Sequence, residues 1–153
     1  MTALLTAIAL WLSANFNLPP LSEPPKIELV SPARIMAIRH QAFNVERRHD
    51  IAAMAMPPVS DSCDTVAVYD DSNRTIYLPL TWTGGTAADL SMLVHEMVHH
   101  LQNIGGIRYE CPAAREELAY RAQDQWLRLF GQSLEHTFGI DKFTLKVSTS
   151  CGF

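Results

Sequence analysis

No apolar run in the 153 residues approaches the roughly 18–20 needed to cross a bilayer, so no membrane-spanning helix is expected. Charge is also scarce. Asp, Glu, Lys and Arg make up 18%, against roughly 25% in an average globular chain. With 48% apolar residues, this balance excludes disorder, which requires few apolar and many charged side chains. The 12 basic residues do not outnumber the 16 acidic ones, so no phosphate-neutralising surplus points to nucleic acid. Internal repeats and low-complexity tracts are absent, and the length fits one domain, residues 1–153.

Cysteine is rare too. Cys63, Cys111 and Cys151 form no CxxC pair, which argues against a cysteine zinc knuckle. Their spacing favours free thiols packed as small hydrophobes over a Cys111–Cys151 or Cys63–Cys111 bridge. Lys and Arg are missing before Lys26, so a signal peptide would lack its charged start. Leu4, Leu5, Ile8, Trp11, Leu12 and Phe16 instead fall at helical spacing opposite Thr2, Thr6, Ser13 and Asn15. Residues 1–18 therefore read as a retained amphipathic helix and favour a cytoplasmic location. A periplasmic or secreted protein is expected if they act as a signal peptide.

Pro19, Pro20, Pro24 and Pro25 make residues 19–26 an extended connector. Ile27–Val30 is either a short strand or more of the same connector. Ser31-Pro32 opens a short helix holding Ile35, Met36 and Ile38. Arg47–Ser60 is poorly patterned. Thr65–Tyr69 and Thr75–Leu80, separated by Asp70–Asn73, read as a β-hairpin. Thr86 with Asp89 resembles a capping box and begins a long helix that Gly105-Gly106 stops. Pro112 starts a second, expected to run to Phe130 ahead of Gly131. Phe143–Ser148 has strand composition.

The first long helix carries His95-Glu96-Met97-Val98-His99, an HExxH motif. Histidines at i and i+4 stand one turn apart on one face and can reach a single ion. The glutamate beside the first is placed to act as general base. Six His and eight Glu in a chain of this length give the motif by chance about once in a hundred chains. Leu90, Leu93, Val94, Met97, Val98 and Leu101 share the opposite face, with Ser91 and Gln102 beside the histidines.

Catalytic zinc takes three protein ligands. A third histidine at HExxHxxGxxH spacing is excluded, because Gln102 and Gly105 stand where Gly and His are required. The second helix offers two carboxylates. Glu116 lies on an apolar stripe with Ala119, Tyr120, Gln123, Trp126, Leu127 and Phe130. Glu117 shares its side with Arg121, Asp124 and Arg128, which reads as a solvated, charge-paired surface. A carboxylate in an apolar stripe is costly without a cation, so Glu116 is the expected ligand.

In this arrangement Thr75 to Phe130, just over a third of the chain, resembles the gluzincin branch of the HExxH metallopeptidases. Glu116-Glu117-Leu118-Ala119 is similar to the ExxA pattern around the third ligand in small bacterial members. His95 to Gln102 reads His-Glu-Met-Val-His-His-Leu-Gln, similar to the signature of a group of small bacterial zincin-like proteins. The resemblance implies one zinc on His95, His99 and Glu116, Glu96 as general base, and a peptide or protein substrate. It also implies that Thr75–Leu80 is an edge strand along which substrate pairs. Tyr120, one turn beyond Glu116, is the first candidate donor to an oxyanion. His136, Tyr109 and His100 are weaker, and His100 is expected at the surface. Gln102 and Gln123 are candidates to orient the ligands.

The expected fold is thus α+β and zincin-like: a small sheet on the apolar face of the HExxH helix, and a second long helix closing the metal site, with residues 65–130 as its core. The expected function is zinc-dependent hydrolysis of peptides. A module that holds the ion without turnover is the alternative.

Overall fold

A computed structural model describes residues 1–47 and 67–152. Cys63, Thr65, Val66 and the unpatterned stretch after Arg47 lie outside the described residues. Within them the order is α1 (Thr2–Phe16), β1 (Lys26–Val30), α2 (Pro32–Arg47), β2 (Val68–Asp70), β3 (Thr75–Pro79), α3 (Ala87–Ile104), α4 (Pro112–Arg128), α5 (Leu134–Phe138) and α6 (Lys142–Ser148). The class is α+β, as the sequence leads one to expect. Among the described residues no helix is long and apolar enough to cross a membrane.

Helix α1 buries Leu5, Ile8, Ala9 and Leu12 in the main core. Ile8 and Leu12 are fully buried, each contributing about 1.5–3 kcal/mol. Against the roughly 5–15 kcal/mol of a whole domain, that makes α1 structural. Trp11 packs edge-on against Trp126 of α4, ring centroids 5.2 Å apart. The helix ends on Asn17 in the left-handed conformation, φ 53°, before the prolines.

Ile27–Val30 resolves as a strand. β1 pairs parallel with β3, from Lys26↔Thr75 to Val30↔Pro79, and β2 pairs antiparallel on the other side, Val68↔Tyr77 to Asp70↔Thr75. The order β1-β3-β2 puts β3 in the centre. This overturns Thr75–Leu80 as an edge strand. From Thr75 to Tyr77 both its edges are taken, and every residue of β3 is buried, so no extended peptide can pair along that stretch. A continuous Ile76-Tyr77-Leu78 run suits a strand covered on both faces. Ile76 and Leu78 enter the main core with α3. Helix α2 is longer than the short helix expected, and packs on β2 and β3 with Ile35 and Ile38 buried outside that cluster.

Helix α3 starts as its cap predicts, with the Thr86 side chain accepting from Asp89 N at 3.0 Å. The Asp89 carboxylate turns to the preceding loop, accepting from the backbone N–H of Thr83 and of Gly84, each at 3.0 Å. Gly84 has φ +70°, and a side chain there would collide with the Trp82 ring. Gly106, φ +61°, ends the helix. The expected single apolar face is too modest a description, because every residue from Ser91 to Gln102 is buried. The sheet covers one side of α3 and α4 the other. His100 is accordingly not a surface residue. It is fully buried, donating from Nε2 to the Glu23 carbonyl at 2.7 Å and accepting from the Tyr69 hydroxyl at 3.0 Å.

Helix α4 stops at Arg128, short of the expected Phe130, and a turn follows to Gly131 at φ +71°. The C-terminal segment corrects two expectations. Phe143–Ser148 is not extended but forms α6, begun by Asp141 accepting from Thr144 N at 2.7 Å. Among the described residues no strand lies beside its alternating apolar side chains, and Phe143 stays 76% exposed. Cys111 and Cys151 are bridged across 40 residues instead of standing as free thiols. The bridge ties α6 to the start of α4, a proximity that linear spacing does not reveal. Cys151→Ser is expected to lower the unfolding free energy by about 2–4 kcal/mol, read from urea unfolding. A midpoint indifferent both to the substitution and to reductant would contradict the bridge.

Candidate metal centre

Helices α3 and α4 pack side by side, and the expected residues meet where they touch. His95 and His99 present Nε2 atoms 3.2 Å apart. Glu116, in the second turn of α4, brings Oε2 to 3.2 Å from His95 Nε2 and Oε1 to 3.2 Å from His99 Nε2. Together they form a group that could hold a metal ion. Glu117 faces away and is exposed, so Glu116 is the one of the two glutamates that the structure brings to the histidines. The surface pairing drawn for Glu117 is only half realised: Asp124 pairs with Arg128 at 2.7 Å, while among the described residues Glu117 forms no ion pair with Arg121.

Each histidine is oriented from behind. His95 Nδ1 donates to Gln123 Oε1 at 3.0 Å and His99 Nδ1 to Gln102 Oε1 at 3.1 Å. A proton on Nδ1 leaves a lone pair on Nε2. Two nitrogen lone pairs and a carboxylate then converge on one point, an arrangement that repels itself unless a cation or a proton lies between. The separations fit such an ion. Tetrahedral zinc with bonds of about 2.0–2.1 Å spaces its ligand atoms about 3.3–3.4 Å apart.

The charge balance agrees. With a proton in the ion's place the same holds: burial alone would raise the Glu116 carboxyl, but the hydrogen bonds it accepts once His95 and His99 are protonated on Nε2 outweigh it and hold the group far below the usual carboxylate range. Burial disfavours the His95 cation, yet the Glu116 bond and the charges of Glu96 and Glu116 turn its pKa upward. The site is built for positive charge.

Glu96 is 6% exposed and has no hydrogen-bond partner among the described residues. Tyr120 lays its ring edge-on against His95, centroids 4.7 Å apart. Burial first, and the Glu116 charge next, raise its hydroxyl pKa, so the phenol keeps its proton. The weaker candidates stand apart. His136 is exposed on α5, His100 is spent on Glu23 and Tyr69, and Tyr109 forms no hydrogen bond to the three ligands among the described residues.

One residue escaped the sequence reading. Arg115, beside Glu116, forks onto Asp71 with bonds of 2.6 and 2.7 Å and reaches both Gln102 and the His99 carbonyl. Nothing in its own neighbourhood signals this, because Asp71 reads only as a turn residue 44 positions away.

Fold and site thus define an α+β protein with a His-His-Glu group able to hold a metal ion. A family described as a domain of unknown function, DUF6647, matches residues 1–152, and the chain belongs to that family. No curated protein and no solved structure matches it significantly.

Proposed function

We propose that the protein is a zincin-like, zinc-dependent hydrolase acting on peptide bonds. The observation that carries this is the 3.2 Å triangle of His95, His99 and Glu116 with Glu96, buried and without a hydrogen-bond partner among the described residues, next to it in sequence. His95, His99 and Glu116 would hold the ion. Bound there, zinc would supply a Lewis acid that polarises the scissile carbonyl and lowers the pKa of water. Glu96 takes the proton of the attacking water on its carboxylate and passes it to the leaving amine. No described side chain competes for those oxygens. Gln123 and Gln102 hold the two imidazoles in register, and Tyr120, its hydroxyl kept protonated, can donate to the developing oxyanion.

The test is cleavage of a peptide library by the purified protein, stopped by a chelator and restored by zinc. Cleavage that survives chelation would sink the reading. Stoichiometric zinc with no cleavage of any peptide would identify a metal-holding module instead.

A further inference from the structure

Gln102 can present either end of its amide to His99, and which end it presents decides where the imidazole proton sits. Three contacts make the choice. Arg115 Nε donates to Gln102 Oε1 at 3.1 Å. Gln102 Nε2 donates to the Arg115 backbone carbonyl at 3.2 Å. His99 Nδ1 meets the same Oε1 at 3.1 Å. A guanidinium has donors only, so the amide end beside Arg115 Nε must be the oxygen. With oxygen there, His99 must carry its proton on Nδ1 and turn a bare Nε2 toward His95 and Glu116. Arg115 is fixed in its turn. Asp71, between β2 and β3, takes Nη1 and Nη2 at 2.6 and 2.7 Å, and Nη2 also donates to the His99 carbonyl at 3.0 Å.

From this geometry we infer that the Arg115 side chain, clamped by Asp71, is a positioning residue that together with its own backbone carbonyl sets the tautomer of His99 and hence its readiness to bind metal. The inference rests on His99 being a ligand. His95 provides the internal comparison. Its partner Gln123 hangs from Ser91 Oγ at 3.4 Å, and Ser91 donates its own proton to the Ala88 carbonyl at 2.8 Å. No charged group enters that chain, so removing Arg115 should disturb one histidine and spare the other.

The sign of the effect separates positioning from plain electrostatics. Arg115 is a cation beside Glu116, and deleting a positive charge near a cation site strengthens metal binding if charge is all that matters. Loss of an outer hydrogen-bond partner weakens it, by about 10–100-fold. The experiment compares wild type, Arg115→Gln, Arg115→Lys and Asp71→Asn. Nitrogen–proton NMR on protein with isotope-labelled histidine, metal-free and in alkaline buffer, reads each tautomer. Competition with a chromophoric chelator reads zinc affinity.

The wild type should show His95 and His99 both protonated on Nδ1. In Arg115→Gln and Arg115→Lys the backbone carbonyl still accepts from Gln102 Nε2, so His99 should become a mixture of tautomers while His95 is unchanged. Zinc affinity should fall about twofold for an even mixture, and further, toward the roughly 10–100-fold of a lost outer partner, as the ring loses its hold. Lysine keeps the charge but not the fork, so its failure to rescue is part of the expectation. Asp71→Asn should show a smaller fall. A wild-type His99 protonated on Nε2 overturns the inference, as do wild-type tautomers and affinity in both arginine variants. If Arg115→Gln does not fold, Arg115→Lys and the wild-type spectrum still decide. If the wild type takes up no zinc, the metal reading fails by itself and the tautomers judge Arg115 separately.

Discussion

Glu116→Gln is expected to weaken zinc binding by about 100-fold or more, above the cost of losing a partner that merely orients a ligand. The substitution replaces an anionic oxygen with a neutral amide at the point where two imidazole nitrogens converge at 3.2 Å. Gln retains the size of Glu, so the loss reads charge and ligand chemistry rather than a cavity. Glu117→Gln, one residue along, is the control. Its side chain is exposed and forms no ion pair among the described residues, so stability should change by less than about 0.5 kcal/mol and zinc affinity hardly at all. Chelator competition on the two variants decides between them. A larger loss in Glu117→Gln would mean that α4 presents the other face to α3.

The second large effect is on turnover. Glu96→Gln should leave zinc affinity and fold intact while lowering the rate of peptide cleavage by about 10²–10⁴-fold, the usual contribution of a general base. The amide cannot take a proton from water. It is also isosteric, in a position 6% exposed, so a packing defect is not expected to confuse the result. Equal rates in wild type and variant would remove Glu96 from the chemistry. A parallel drop in zinc affinity would assign it a part in holding the ion.

What the sequence reveals of this site follows from locality. His95, Glu96 and His99 lie within one and a half turns of one helix, and Glu116 is singled out by an unneutralised carboxylate on an apolar stripe. Both judgements need only helical periodicity. Gln102 and Gln123 are legible for the same reason, since they share those faces. Arg115 is not, because its role depends on where a hairpin turn 44 residues earlier comes to rest.

The same boundary runs through the fold. Helices α1, α3 and α4 declare themselves by period and caps. The centre of the sheet does not, since the β1–β3 pairing joins Lys26 to Thr75 across the intervening α2 and β2, and a short strand after prolines looks like more connector. His100 was expected outside because the wheel cannot see Glu23, 77 residues away, closing over it. In α6 a local cap at Asp141 prevailed over alternating composition, and the Cys111–Cys151 bridge shows the same dependence on distant contacts.

The central claim is that His95, His99 and Glu116 hold one zinc. Elemental analysis of the protein purified without a histidine tag tests it most directly, alongside the His95→Ala/His99→Ala double variant. The account predicts one zinc per chain in the wild type and none retained by the variant. No stoichiometric metal in the wild type, or full zinc occupancy in the double variant, would contradict it.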